Sequence, residues 1–227
     1  FEGELPPIVS GPSFTIRKKA CRVFTLDEYV KAGILAEAQR QAVVEAVRTR
    51  RNILVVGGTG SGKTTFLNAV IQAISKESPG DRLVIIEDTS ELQCVSPNVV
   101  TMRTSDTVSM QMLLRITMRS RPDRILVGEV RGAEALALVK AWNTGHPGGL
   151  ATVHANNAAA GLLRLAQLIE EGLQGGKADP GVIAEAVGLV VVIAKVPAAP
   201  GRRITEMVSV KGHALGRYIL EPVLSAS

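Results

Sequence analysis

"NILVVGGTGSGKTT", residues 52–65, decides the fold. Its first half is an apolar run without period-2 alternation, the signature of a strand buried on both faces. Its second half matches G-x-x-x-x-G-K-[ST] as Gly57 through Gly62, Lys63 and Thr64, and "KTTFLNAVIQAI" (63–74) continues as a helix. Strand, glycine-rich turn and helix are the context in which this motif holds phosphate. Glycines let backbone N–H groups curl around anionic oxygens where a side chain would collide, and the helix N-terminus adds partial positive charge at the same point. The loop Gly57, Gly58, Thr59, Gly60, Ser61, Gly62 is therefore the expected phosphate cradle. Lys63 is the mobile ammonium for the β- and γ-phosphates, Thr64 the hydroxyl for Mg²⁺, and Thr65 the next loop-end contact.

Working outward, strands and helices alternate to the end of the chain. Strands are expected at 82–87, 124–128, 149–154 and 189–196, and helices near 107–119, 132–142, 158–173 and 180–187. The last two β-type runs, "RRITEMVSV" and "GRYILEPV", read as a hairpin. Non-alternating apolar strands separated by helices imply an α/β fold with a mostly parallel sheet covered on both faces. Upstream, residues 25–50 read as helical, with Thr25 or Asp27 as a cap and Gly33 as a stop. Residues 1–24 read as short strands with turns at Pro6-Pro7 and Gly11-Pro12. Phe1 opens in mid-pattern, so further chain is expected to precede it.

In an open α/β sheet, ligands gather at the carboxyl ends of the strands. Three strand ends there carry chemistry: Glu87-Asp88 after "LVII", Glu129 after "ILVG" and His154 after "LATV". Each also has a plain structural alternative. Asp88 or Ser90 could cap a short helix, Glu129 could pair with Arg131 or Arg124, and His154 could be a satisfied strand-end residue. Convergence on one edge with the phosphate loop favours metal-assisted hydrolysis, in which Glu87 and Glu129 hold the Mg²⁺ water shell together with Thr64. His146, in "TGHPGG", is either a nucleotide contact or a loop-stabilising hydrogen bond. Arg17, Arg115, Arg119, Arg121 and Arg124 are either surface ion pairs or neutralisers of γ-phosphate charge.

Composition sets the outer limits. Among 227 residues, 46% are apolar and 21% charged, which is globular rather than disordered. Aromatics at 3% argue against a platform of stacked rings for single-stranded nucleic acid. The net charge of +5, with runs "RKKACR" (17–22) and "RTRR" (48–51), reads as solvated surface or as a contact to an anionic partner. Two cysteines, Cys21 and Cys94, do not form a C-x-x-C zinc clip. The longest apolar stretch, "AVGLVVVIA" (186–194), is too short to span a bilayer.

"GGTGSGKTT", "LVIIEDTSEL", "RSRPDRILVGEVRGAEAL" and "TGHPGGLATVHAN", in this order, resemble the secretion-superfamily traffic ATPases of type IV secretion and conjugation, VirB-type and TrbB-like. The resemblance implies a RecA-like P-loop NTPase at 51–227. It also implies a helical linker at 25–50 and, at 1–24, the tail of an N-terminal α+β domain that would bring Arg17 near the nucleotide. It implies that Gly57–Thr64 is the Walker A loop, that Glu87, Asp88 and Glu91 form an acidic box, and that Glu129 closes the Walker B strand. His154 would belong to the histidine box, so Lys63, Glu129, Glu87 and His154 become the expected catalytic set, with ATP and Mg²⁺ as ligands. Family members act as homohexamers, cytoplasmic and peripheral at the inner membrane, alongside type IV secretion and mating-pore components. Direct contact with nucleic acid is left open. The rival readings are sister ATPases of type II secretion, type IV pili or tight-adherence pili, and a RecA-like nucleic-acid motor.

Overall fold

The computed structural model describes residues 2–16, 22–173 and 175–223. The chain opens with two short strands, β1 (Glu2–Glu4) and β2 (Ser13–Thr15), paired antiparallel to each other. Two helices follow, α1 (Leu26–Lys31) and α2 (Glu37–Arg48). Thr25 caps α1 reciprocally with Glu28: its hydroxyl accepts from the Glu28 N–H, and the Glu28 carboxylate accepts from the Thr25 N–H.

The central sheet then begins with β3 (Ile53–Val56) and α3 (Lys63–Glu77). Next come β4 (Leu83–Glu87), β5 (Val99–Arg103), α4 (Met110–Thr117) and β6 (Arg124–Val127). These are followed by α5 (Glu134–Asn143), β7 (Leu150–Val153), α6 (Ala158–Gly172) and α7 (Pro180–Ala186). The chain closes with β8 (Leu189–Lys195), β9 (Arg202–Ala214) and β10 (Arg217–Pro222). Eight strands form one sheet in the order β10-β9-β8-β3-β7-β6-β4-β5. From β8 to β5 every pairing is parallel, and β9 and β10 add an antiparallel hairpin at one side.

Why the strands lack alternation is visible in the packing. Ile53 and Val55 point to the face covered by α1, α2 and α3, with Tyr29, Val43, Phe66 and Ile71. Leu54 and Val56 point to the face covered by α4 to α7, with Leu114, Leu138, Leu162 and Ile183. Both sides of every central strand are thus dry, and each apolar side chain there contributes roughly 1.5–3 kcal/mol by leaving water. The helices expected as a linker, α1 and α2, bury Leu26, Tyr29, Val43 and Val47 in this core.

The mostly parallel α/β sheet is as expected. One element differs: no strand is expected between residues 88 and 106, yet that segment contains the edge strand β5, parallel to β4. β5 is at most half-buried at every position, and so it lacks the apolar run that marks the other parallel strands.

Candidate functional site

The carboxyl ends of β3, β4, β6, β7 and β8 share one edge of the sheet. The loop after β3 turns there into α3, whose N-cap Gly62 adopts φ +106°, a left-handed conformation open to glycine and costly for other residues. Gly57 allows the tightest approach: a Cβ on it would lie 2.4 Å from the Ile193 carbonyl oxygen. The Ser61 hydroxyl is buried inside the loop and has no hydrogen-bond partner among the described residues. Lys63 folds back over the loop and donates to the Gly57 and Gly58 carbonyls at 2.9 and 3.1 Å. Burial holds its ammonium below the ordinary lysine pKa, while the charge of Glu129 pulls the other way.

Glu129 follows β6 and accepts from Arg131 Nε at 2.7 Å. Its other oxygen lies 2.5 Å from His154 Nε2. The His154 ring, at the end of β7, lies 3.4 Å (Nδ1) from Lys63 Nζ. A continuous polar chain therefore runs from ammonium through imidazole and carboxylate to guanidinium, spanning three strand ends. Thr152 Oγ1 donates to the Gly128 carbonyl at 2.8 Å and pins the backbone just before Glu129.

Glu87 sits deeper, 3% exposed at the end of β4. Its carboxylate accepts from the Leu92 and Glu91 N–H groups at 2.8 and 3.3 Å and so orders the loop behind it. Asp88 is exposed, accepts from Thr104 Oγ1 at 2.9 Å and lies 3.6 Å from Arg131. The cleft enclosed by these groups has a volume of about 600 Å³. Thr59 through Thr65, Glu87, Glu91, Glu129 and His154 line it, and so does Arg202 from β9.

The structure brings Glu87, Glu129 and His154 to one edge with the phosphate loop, and it decides between the alternatives left open for other residues. His146 lies before β7, at the amino-end edge, where its Nδ1 stands 2.8 Å from the Pro122 carbonyl; of the two alternatives, it is the loop-stabilising contact. Arg124 is no candidate for phosphate charge. It is fully buried at that same far edge, its Nε donating to Asp81 at 2.6 Å. Arg115, Arg119 and Arg121 are exposed and do not line the cleft. Arg17 lies outside the described residues. Arg202 and Thr152 were missed: Arg202 sits in a β-type run with no motif, Thr152 is an uncharged strand residue two places before His154, and only strand register brings each to the cleft.

The loop suits a phosphate chain on its own geometry, with a cradle that side chains would fill, a buried hydroxyl lacking a partner and a desolvated ammonium. Among the described residues no cluster of three or more His, Cys, Asp or Glu side chains gathers to hold a metal unaided. That suits Mg²⁺, which keeps several waters and is bound through few protein groups plus substrate phosphates. No helix among the described residues is long and apolar enough to cross a membrane.

Comparison with known proteins adds an independent line. The family model described as "Type II/IV secretion system protein" matches residues 3–199. A probable conjugal transfer protein TrbB of Sinorhizobium fredii is 53% identical over 221 residues, covering 97% of this chain and 67% of that protein. The type IV secretion system protein VirB11 of Bartonella quintana is 32% identical over 213 residues, covering 76% of this chain and 59% of its own length. Among solved structures, the VirB11 ATPase of the Brucella suis type IV secretion system, in complex with sulphate, superposes with a TM-score of 0.69 at 31% identity. The match covers 83% of this chain and 57% of that one. The chain thus spans between about half and two thirds of the length of these relatives.

Proposed function

Because this chain belongs to the type II/IV secretion system protein family, in its TrbB- and VirB11-like branch, we propose that it is the motor part of a Mg-ATP hydrolase driving conjugative DNA transfer or type IV secretion. The observation that carries this reading is the polar chain Lys63–His154–Glu129 closing over the phosphate loop. Two carboxylates, an imidazole and an ammonium around one phosphate cradle are the parts that hydrolysis of a phosphoanhydride needs.

The division of labour follows from where each group sits. Lys63 exchanges the Gly57 and Gly58 carbonyls for β- and γ-phosphate oxygens, and Ser61 and the N–H groups of residues 58–65 cradle the chain. Thr64, Glu87 and Glu129 are the residues that would hold Mg²⁺, Thr64 through its hydroxyl and the carboxylates through water. The chemistry that magnesium would supply there is neutralisation of charge on the phosphate oxygens. Glu129 orients or deprotonates the attacking water once it releases Arg131 and His154, and His154 reads the presence of the γ-phosphate. Glu87 is tied to backbone N–H groups on one oxygen and therefore acts as a positioner rather than as the base. In the whole protein the cycle works within a homohexameric ring, peripheral at the cytoplasmic face of the inner membrane, against mating-pore or secretion components.

The test is phosphate release from Mg-ATP by the full-length protein, with light scattering in the presence and absence of ATP. Turnover that Lys63→Ala abolishes, in a particle of six subunits, supports the reading. An assembled protein that releases no phosphate overturns the hydrolase, and a monomer that turns over fully without assembling overturns the ring.

A further inference from the structure

The hairpin side of the phosphate loop carries an arrangement that the hydrolytic groups leave unexplained. Lys195 ends β8, Arg202 begins β9, and the two face each other as the last pair of the antiparallel ladder. Residues directly opposite in such a ladder share a face, and like charges there are destabilising. Among the described residues neither side chain makes an ion pair with a carboxylate. Both reach the phosphate loop. The place that a Cβ on Gly60 would take is 3.2 Å from Lys195 Nζ, and the place for one on Gly62 is 2.8 Å from Arg202 Nη1. Two unneutralised cations held side by side against a loop built for anions describe a site completed by negative charge.

Sheet order says which negative charge. β3 lies between β7 and β8. Glu129 and His154 approach the loop from the β7 side, so the phosphate that is cut lies toward them. Lys195 and Arg202 approach from the β8 side, away from the carboxylates. We propose that Lys195 and Arg202 bind the α- and β-phosphates, the part of the nucleotide that survives hydrolysis, and so set the retention of the diphosphate product. This rests on the nucleotide reading above and adds to it a second, hairpin-borne half of the phosphate site. The pair would then be strained in the free protein and relieved by nucleoside diphosphate, which couples product release to the position of the β8–β9 hairpin.

The experiment is calorimetric titration of the full-length protein with ADP and with a non-hydrolysable ATP analogue, both with Mg²⁺. Wild type is compared with Lys195→Ala, Arg202→Gln, the double variant and Arg202→Lys. Each lost cation should weaken both nucleotides by the same factor, about tenfold, as for hydrogen bonds to charged groups, and Arg202→Lys should recover part of it. The denaturation midpoint without nucleotide should stay level or rise in Lys195→Ala, since a like-charge contact is removed. Unchanged ADP affinity in the double variant overturns the proposal, and so does a loss confined to the ATP analogue, which would place the cations on the γ-phosphate. A wild-type protein that binds neither nucleotide would instead overturn the nucleotide reading itself.

Discussion

The two edges of the parallel sheet use the same kinds of residue to opposite ends. At the amino-end edge the buried charges, Arg124 and Asp81, are answered. Arg124 donates to Asp81 at 2.6 Å and to the Val47 carbonyl and Ser78 hydroxyl at 3.0 Å each, while Arg50 closes on the other Asp81 oxygen at 2.5 Å. Asn52 donates to the Ala186 carbonyl and accepts from the Gly149 N–H, tying the starts of β3, β7 and β8 together. At the carboxyl-end edge the accounts stay open. Among the described residues Ser61 has no hydrogen-bond partner, Lys63 is desolvated on carbonyls, and Lys195 and Arg202 are paired across the ladder with no carboxylate to neutralise them. A polar network that is fully satisfied rigidifies the base, whereas unsatisfied groups are what a functional site is expected to carry.

The largest effect should come from breaking the closed edge. Arg124→Ala leaves Asp81 buried beside a single half-buried arginine and strips the Gly148 and Val47 carbonyls and the Ser78 hydroxyl of their donor. We expect a loss of about 3–5 kcal/mol of folding stability, measured by chemical denaturation, as for removal of one partner of a buried pair. Nucleotide affinity of the remaining folded fraction should be unchanged. A stable Arg124→Ala protein that has lost nucleotide binding would erase the division between the edges.

A smaller effect is expected where the open edge leans on the sheet. Thr152→Val keeps the shape but removes the hydrogen bond to the Gly128 carbonyl, at a cost of about 1 kcal/mol. Turnover should fall about tenfold through displacement of Glu129, with ADP affinity preserved. Equal losses in turnover and ADP affinity would mean that Thr152 shapes the cradle rather than aims the carboxylate.

The mildest test asks whether burial extends beyond the parallel strands, to α1 and to the hairpin strand β10. Tyr29 and Tyr218, the only tyrosines, are both pushed up to about 12 by burial. Both states are protonated below pH 10, and between pH 10 and 12 only the unfolded chain ionises. The stability that this burial contributes is therefore complete below pH 10 and lost as pH rises through about 12. Phenolate absorbance of the native protein should stay below half its maximum at pH 11. Half-titration near pH 10 would show that these rings are wet.

How much of this was legible in the sequence depends on which physics each residue obeys. β3, β4, β6, β7 and β8 announce themselves because both faces are buried, and the glycine loop because phosphate chemistry demands it. The convergence of Glu87, Glu129 and His154 follows from parallel strands ending at one edge. β5 escapes because an edge strand needs no apolar run. Arg124 and His146 look like functional candidates because sequence shows their charge and not which end of a strand they occupy. The Lys195–Arg202 pair is invisible until β8 and β9 are in register, since the residues are separated by a Pro/Gly turn and share no motif.

The central claim is that Glu129 sits at the open edge to act on the water rather than to hold the fold or the nucleotide. The direct measurement is single-turnover hydrolysis of Mg-ATP by Glu129→Gln, with ADP affinity and denaturation midpoint determined on the same preparation. We predict a rate lowered by about 10²–10³, the range for loss of one electrostatic group at a reacting centre, with midpoint and ADP affinity close to wild type. Hydrolysis at the wild-type rate would contradict the account.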